Sequence, residues 1–194
     1  MYSLTHHTIS LLTEEYIREF HHPEKFIQYC QQCNRYNHYW SCPPFSFNPK
    51  NYLSGYRQAY IIGSRITFDP LTRASCVTME QHHEISLQTI EAVRKTIDPQ
   101  LLRLEQLYPG SKAFYAGICH LCPAGTCTRT DHLPCRHPQE IRPSLEALGF
   151  DINRTSAKLL HIELQWSNNA QLPEYLMLVS GFFTNSFIHI SRFF

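Results

Sequence analysis

The chain predicts an α/β or α+β fold, a single domain whose small mixed sheet is covered by helices and carries two cysteine-rich loops. Three observations lead there. Residues 58–68, 113–118 and 175–183 are runs rich in β-branched and aromatic side chains, the composition of strands. Between the first two runs, Ile85, Ile90, Val93, Ile97, Leu101, Leu104 and Leu107 recur at the step of one helix face. The remaining length is irregular, proline-studded, and holds the cysteines in two groups.

With 194 residues, 43% hydrophobic, 12 Phe and 11 Tyr against 17% charged, the chain supplies one full core and lacks the length for two. Residues 1–194 are therefore read as one domain. The net charge of +1 leaves no clustered Lys and Arg excess for phosphate, which argues against a nucleic-acid partner. Membrane attachment is equally unsupported, because the apolar run Tyr175 to Phe183 has about half the length that spans a bilayer. Residues 1–12 carry neither the basic nor the apolar region of a signal peptide. A cytoplasmic protein is expected. Thiols stay reduced there, so eight cysteines read as metal ligands before they read as disulfides.

Taken in order, residues 1–29 read as a helical N-terminal extension. Leu11, Leu12, Tyr16, Ile17 and Phe20 share one face over Ser10–Phe20, and the pairs His6-His7 and His21-His22 read as solvated surface. Gln58–Phe68 is the first strong strand, closed by Asp69-Pro70. Residues 78–107 give two helices, or one bent at Asp98-Pro99, ended by Tyr108-Pro109-Gly110. Ala113–Ile118 is a second strand that delivers the chain into a cysteine loop. The step from Gln58 to Ile118 is long enough for a crossover joining parallel neighbours. Arg142–Gly149, with proline near its start and glycine at its end, reads as a short helix, and Asn153–His161 as another. Tyr175–Phe183 is a third strand, and Ser186–Phe194 a candidate edge strand.

The loop Cys119–Arg142 places Cys119, Cys122, Cys127 and Cys135 at spacings x2, x4 and x7. So short a loop buries little apolar surface, and a metal centre is read as what defines its shape. Structural zinc usually joins two Cys-x2-Cys pairs, and only one pair stands here. Irregular spacing with prolines beside the thiols, Cys122-Pro123 and Pro134-Cys135, favours an iron-sulfur cluster of the 4Fe-4S kind, with zinc as the alternative.

A second group holds three thiols: Cys30, Cys33 and Cys42, the last followed by Pro43-Pro44, which stiffen the loop. Three thiols leave one position of a cluster open, unless Cys76 or His38 fills it. Cys76 reads equally as a small buried hydrophobe. A single zinc shared by Cys30, Cys33, Cys42 and Cys76 is the competing reading. Arg136 and Arg142 flank the four-thiol loop and read as fixing it through nearby acids such as Glu140 or Glu146. No Ser-His-Asp arrangement, phosphate-cradling glycine loop or His-Glu-x2-His helix is present. The residues therefore assign no reaction, and a redox role requires a partner the chain does not name.

The pattern Cys30-x2-Cys33-x8-Cys42-Pro-Pro with Cys119-x2-Cys122-x4-Cys127-x7-Cys135-Arg-His-Pro, followed by Arg142-Pro-Ser-Leu-Glu-Ala-Leu-Gly-Phe-Asp151, resembles a bacterial and archaeal family of predicted metal-binding proteins, a domain of unknown function with two cysteine clusters. The resemblance runs from about residue 28 to residue 183. It implies that seven cysteines, all except Cys76, occupy ligand positions. It further implies metal binding in a cytoplasmic prokaryotic setting, and no particular reaction.

Overall fold

The computed structural model describes residues 1–167 and 170–194. Its elements are β1 (Tyr2–Leu12), α1 (Thr13–Phe20), α2 (Pro23–Gln31), α3 (Pro49–Leu53), β2 (Gln58–Phe68), α4 (Pro70–Ser75), α5 (Met79–Leu107), β3 (Lys112–Phe114), α6 (Ile152–Thr155), a π-helical turn (Ser156–Leu160), β4 (Tyr175–Thr184) and a 3-10 turn (Ile190–Arg192). The strands form one sheet in the order β1-β2-β4-β3, each neighbouring pair antiparallel. The α+β class is as expected, but the sheet is antiparallel rather than mixed. The crossover through α5 does join two parallel strands, β2 and β3, with β4 inserted between them.

Alternation along β2 and β4 divides the core between the two faces of the sheet. Tyr60, Ile62, Ile66, Leu178 and Phe182 face α5 and meet Val93, Ile97, Leu101 and Leu104. Ala59, Ile61, Val179 and Phe183 face the other way, onto Tyr16, Phe20, Leu145 and Phe150. Burying each of these larger side chains contributes about 1.5–3 kcal/mol. Helix α5 begins with a capping box between Thr78 and Gln81 and runs unbroken through Pro99. A proline inside a helix costs about 3 kcal/mol, and the packing of Leu101 and Leu104 outweighs it.

The N-terminal residues differ from the helical expectation. Tyr2–Leu12 pairs with β2 along its whole length, from Tyr2 opposite Phe68 to Leu12 opposite Gln58. Polar residues occupy the half-buried positions His6 and Thr8, so the apolar alternation that marks a strand is diluted. His6 is no free surface group, since its Nδ1 lies 2.9 Å from the Ser64 hydroxyl. His21 likewise donates from Nε2 to the Leu148 carbonyl at 2.8 Å and packs against Phe150.

Residues 186–194 form no edge strand. Asn185 accepts from the Arg57 amide and donates to the Gly55 carbonyl, both at 2.8 Å, which turns the chain out of the sheet. Ile188 and Ile190 then bury on the α5 face. Residues 142–149 give tight turns instead of a helix: Ser144 bridges to Tyr115, and Gly149 takes φ +100°. Helical structure over Ile152–Leu160 agrees with the expectation for that stretch.

Candidate metal centre

Strand β3 and the residues after it bring the chain from the sheet edge to Cys119. Helix α2, started by Pro23, carries Cys30 in its last turn. The two cysteine groups meet between these elements, and all eight cysteines are free thiols.

Cys119, Cys122, Cys127 and Cys135 line one small cavity together with Tyr39 and His137. The loop closes on itself first. Thr128 donates to the Pro134 carbonyl at 2.9 Å and accepts, through its own carbonyl, the Leu133 amide at 3.0 Å. Arg136 reaches the Thr126 carbonyl at 3.0 Å. The loop is next fastened to α5. His120 Nε2 and Arg94 Nη2 each stand 2.9 Å from Asp98 Oδ2, and Arg94 also donates to the Ile118 carbonyl. At the far end, Arg142 donates from Nε to Glu105 Oε1 at 2.7 Å and from Nη2 to Oε2. Arg142 thus fixes the loop through an acid, as its sequence suggests, though the acid is Glu105 on α5.

Burial pushes the Cys119 thiol up to about 11, and Cys135, Cys122 and Cys127 push in the same direction. Burial raises Cys135 as well, opposed by the His137 amide, which donates to its sulfur at 3.4 Å. Burial and the neighbouring sulfurs thus make the thiolate forms of Cys119 and Cys135 unfavourable. A bound cation removes that penalty.

Cys30, Cys33 and Cys42 line a second pocket, shared with Ser41, Ile118 and Glu146. Burial raises Cys30, and then Cys33 and Glu146 do. Cys42 is raised by burial first, with smaller contributions from Cys33 and Cys30 against the Ser41 hydrogen bond and Arg129. Neither residue considered as a fourth donor stands here. Cys76 is buried with Phe68 and Leu172, its thiol donating to the Ala170 carbonyl at 3.0 Å. His38 is exposed and lines neither pocket.

Two residues to which the sequence assigns no role connect the pockets. Ser41, next to Cys42, accepts the Cys119 amide at 3.3 Å. Arg129, between Cys127 and Cys135, enters the other loop and donates to the carbonyls of Tyr39 at 2.7 Å, Cys42 at 2.5 Å and Pro44, with its guanidinium over the Trp40 ring. Trp40 completes the clasp by donating to the Leu133 carbonyl at 3.3 Å. An arginine inside a cysteine loop was the available signal, but sequence does not say which carbonyls it meets.

The donor set fits a soft metal or a cluster: seven thiols in two pockets, with His137 beside the four-thiol group and no histidine lining the three-thiol one. Among the described residues no group of three or more His, Cys, Asp or Glu side chains is placed to hold a single metal ion. Nor is any helix, among those residues, long and apolar enough to cross a membrane.

Comparison with known proteins agrees with this chemistry. The family model described as Predicted metal-binding protein (DUF2284) matches residues 17–182, and the chain belongs to that family. No curated protein and no solved structure gave a match.

Proposed function

Starting from membership of a family of predicted metal-binding proteins, we propose that this protein carries one or two iron-sulfur clusters, of the 4Fe-4S kind, in a redox or electron-transfer role. Cys119, Cys122, Cys127 and Cys135 hold the first, and Cys30, Cys33 and Cys42 hold the second. When bound, such clusters supply one-electron chemistry at potentials set by hydrogen bonds to sulfur, charge and exposure.

The observation that carries the reading is the junction of the pockets. Cys42 in one is a single residue from Ser41, whose hydroxyl receives the amide of Cys119 in the other. Two purely structural metal sites have no need of so short a connection, whereas two redox centres do. The donor spacing supports clusters over zinc. A zinc tetrahedron with bonds of about 2.3 Å draws its four sulfurs to about 3.8 Å of one another. Only one Cys-x2-Cys pair stands in the four-thiol loop, where structural zinc usually joins two.

Within this reading the chain's own residues tune and shield. The His137 amide donates to the Cys135 sulfur, the kind of contact that raises a cluster potential. Arg129 puts a fixed positive charge between the groups, favouring the reduced form of either centre.

The test is preparation without oxygen, followed by metal analysis and optical and electron paramagnetic resonance spectra. The expected sample is brown, with a broad visible shoulder and about four irons per filled site. Colourless protein holding stoichiometric zinc, and unfolding with chelator, overturns the reading in favour of a zinc-stabilised module.

A further inference from the structure

Glu146, which lines the three-thiol pocket, has one carboxylate oxygen that no described residue satisfies. Oε2 of Glu146 is buried and has no hydrogen-bond partner among the described residues. The same side chain lines the pocket of Cys30, Cys33 and Cys42. A buried, unpartnered carboxylate oxygen costs about 1–3 kcal/mol or more, so a native structure keeps one where something else meets it.

The backbone around Glu146 holds it in place. Gly149, at φ +100°, sits so close to the start of α2 that a Cβ there would lie 2.7 Å from the Pro23 Cα. The Gly149 carbonyl accepts the His22 amide at 2.8 Å. Leu145 and Leu148, on either side, are fully buried. The Glu146 turn is therefore packed rigidly against the helix whose last turn carries Cys30. A flexible surface glutamate would need no such mounting.

We propose that Glu146 is the fourth protein ligand of the Cys30, Cys33 and Cys42 site, giving a three-thiolate, one-carboxylate centre beside the all-thiolate one. The inference rests on the reading of this pocket as a metal site. The Glu146 carboxyl binds in its deprotonated form, releasing any proton to solvent, and its Oε2 lone pair takes the position that three cysteines leave vacant. Cys76 is committed elsewhere, and His38 is exposed and lines neither thiol pocket. A hard oxygen among soft sulfurs is a weaker partner for iron or zinc than a fourth thiolate. The position that Glu146 fills is thus the one an incoming small ligand exchanges most readily, and the Cys119 site has no equivalent.

The experiment is X-ray absorption at the metal edge, with metal analysis, on the full chain prepared without oxygen. Wild type, Glu146→Cys, Glu146→Gln and Cys33→Ser are compared, with circular dichroism to establish that each folds. Wild type is expected to show a light-atom shell besides sulfur. Glu146→Cys is expected to keep full metal content and lose that shell. Glu146→Gln, which keeps the shape of the side chain, is expected to match Cys33→Ser at about half the wild-type metal content. A light-atom shell that persists in Glu146→Cys overturns the proposal. So does Cys33→Ser with undiminished metal, which would mean that the pocket holds none. Zinc in place of iron, with the shell present in wild type and lost in Glu146→Cys, leaves Glu146 as the ligand and overturns only the cluster reading.

Discussion

Arg142 and Glu105 form a two-pronged ion pair, Nε to Oε1 at 2.7 Å and Nη2 to Oε2, with side chains only 9% and 13% exposed. The pair ties the exit of the four-thiol loop to the last turns of α5. Glu105 Oε1 also accepts the Ala113 amide of β3 at 2.6 Å. One carboxylate therefore registers loop, helix and strand together. Glu105→Ala leaves a buried guanidinium and a strand amide unpaired, and is expected to cost about 3–5 kcal/mol in denaturant unfolding. Glu105→Gln, which keeps the amide acceptor, should cost less. Equal losses in the two variants would show that the charge pair alone matters.

Gly149 offers a local test of the mounting of the three-thiol pocket. Gly149→Ala places a Cβ at φ +100° and 2.7 Å from Pro23 Cα, so the backbone must move. The expected outcome is a stability loss above about 1 kcal/mol together with reduced metal in the Cys30 group. The Cys119 group should stay filled. Equal loss at both groups would place the effect in global folding.

Cys76 gives the opposite expectation. Its sulfur is spent on packing with Phe68 and Leu172 and on the Ala170 carbonyl. Cys76→Ala should leave metal content and spectra unchanged and lower stability by about 1 kcal/mol, the loss of a small buried group. A missing metal equivalent in that variant would return Cys76 to the ligand set.

Stability should depend on pH in opposite senses with and without metal. Burial raises the Cys119 thiol from 9.0 to about 11 in the metal-free fold. Between those values the unfolded chain has lost its proton while the folded chain keeps it. Metal-free stability therefore falls as pH rises through that window. With metal bound the ligands are thiolates, so binding releases protons and tightens as pH rises. Proton release measured calorimetrically in two buffers at pH 8 checks the second half, and denaturant midpoints of the metal-free chain from pH 8.5 to 11 check the first.

How far the sequence reached differs by element. Gln58–Phe68 was legible to the residue, because a largely buried central strand is rich in β-branched and aromatic residues. β1 was hidden, since its half-buried polar positions erase the alternation and its last leucines run straight into α1. The grouping of the seven cysteines into two pockets was visible from spacing alone. Glu146 was visible only as a carboxylate in a predicted helix and a candidate partner for Arg136 or Arg142. Its proposed part depends on a turn folded against α2, a long-range contact that no local pattern encodes. Arg129 was invisible for the same reason, because its partners are backbone carbonyls 85 to 90 residues away.

The reach of Arg129 has a thermodynamic consequence. Rooted between Cys127 and Cys135, it holds the carbonyls of Tyr39, Cys42 and Pro44 in one arrangement. Filling the four-thiol site stiffens the segment from which Arg129 projects, and so removes part of the ordering entropy that the other loop must lose on loading. By linkage the favour is mutual: whatever factor the first centre adds to the affinity of the second, the second returns to the first. If both centres load as proposed, loading is expected to be cooperative, with chains holding both centres or neither outnumbering those with one.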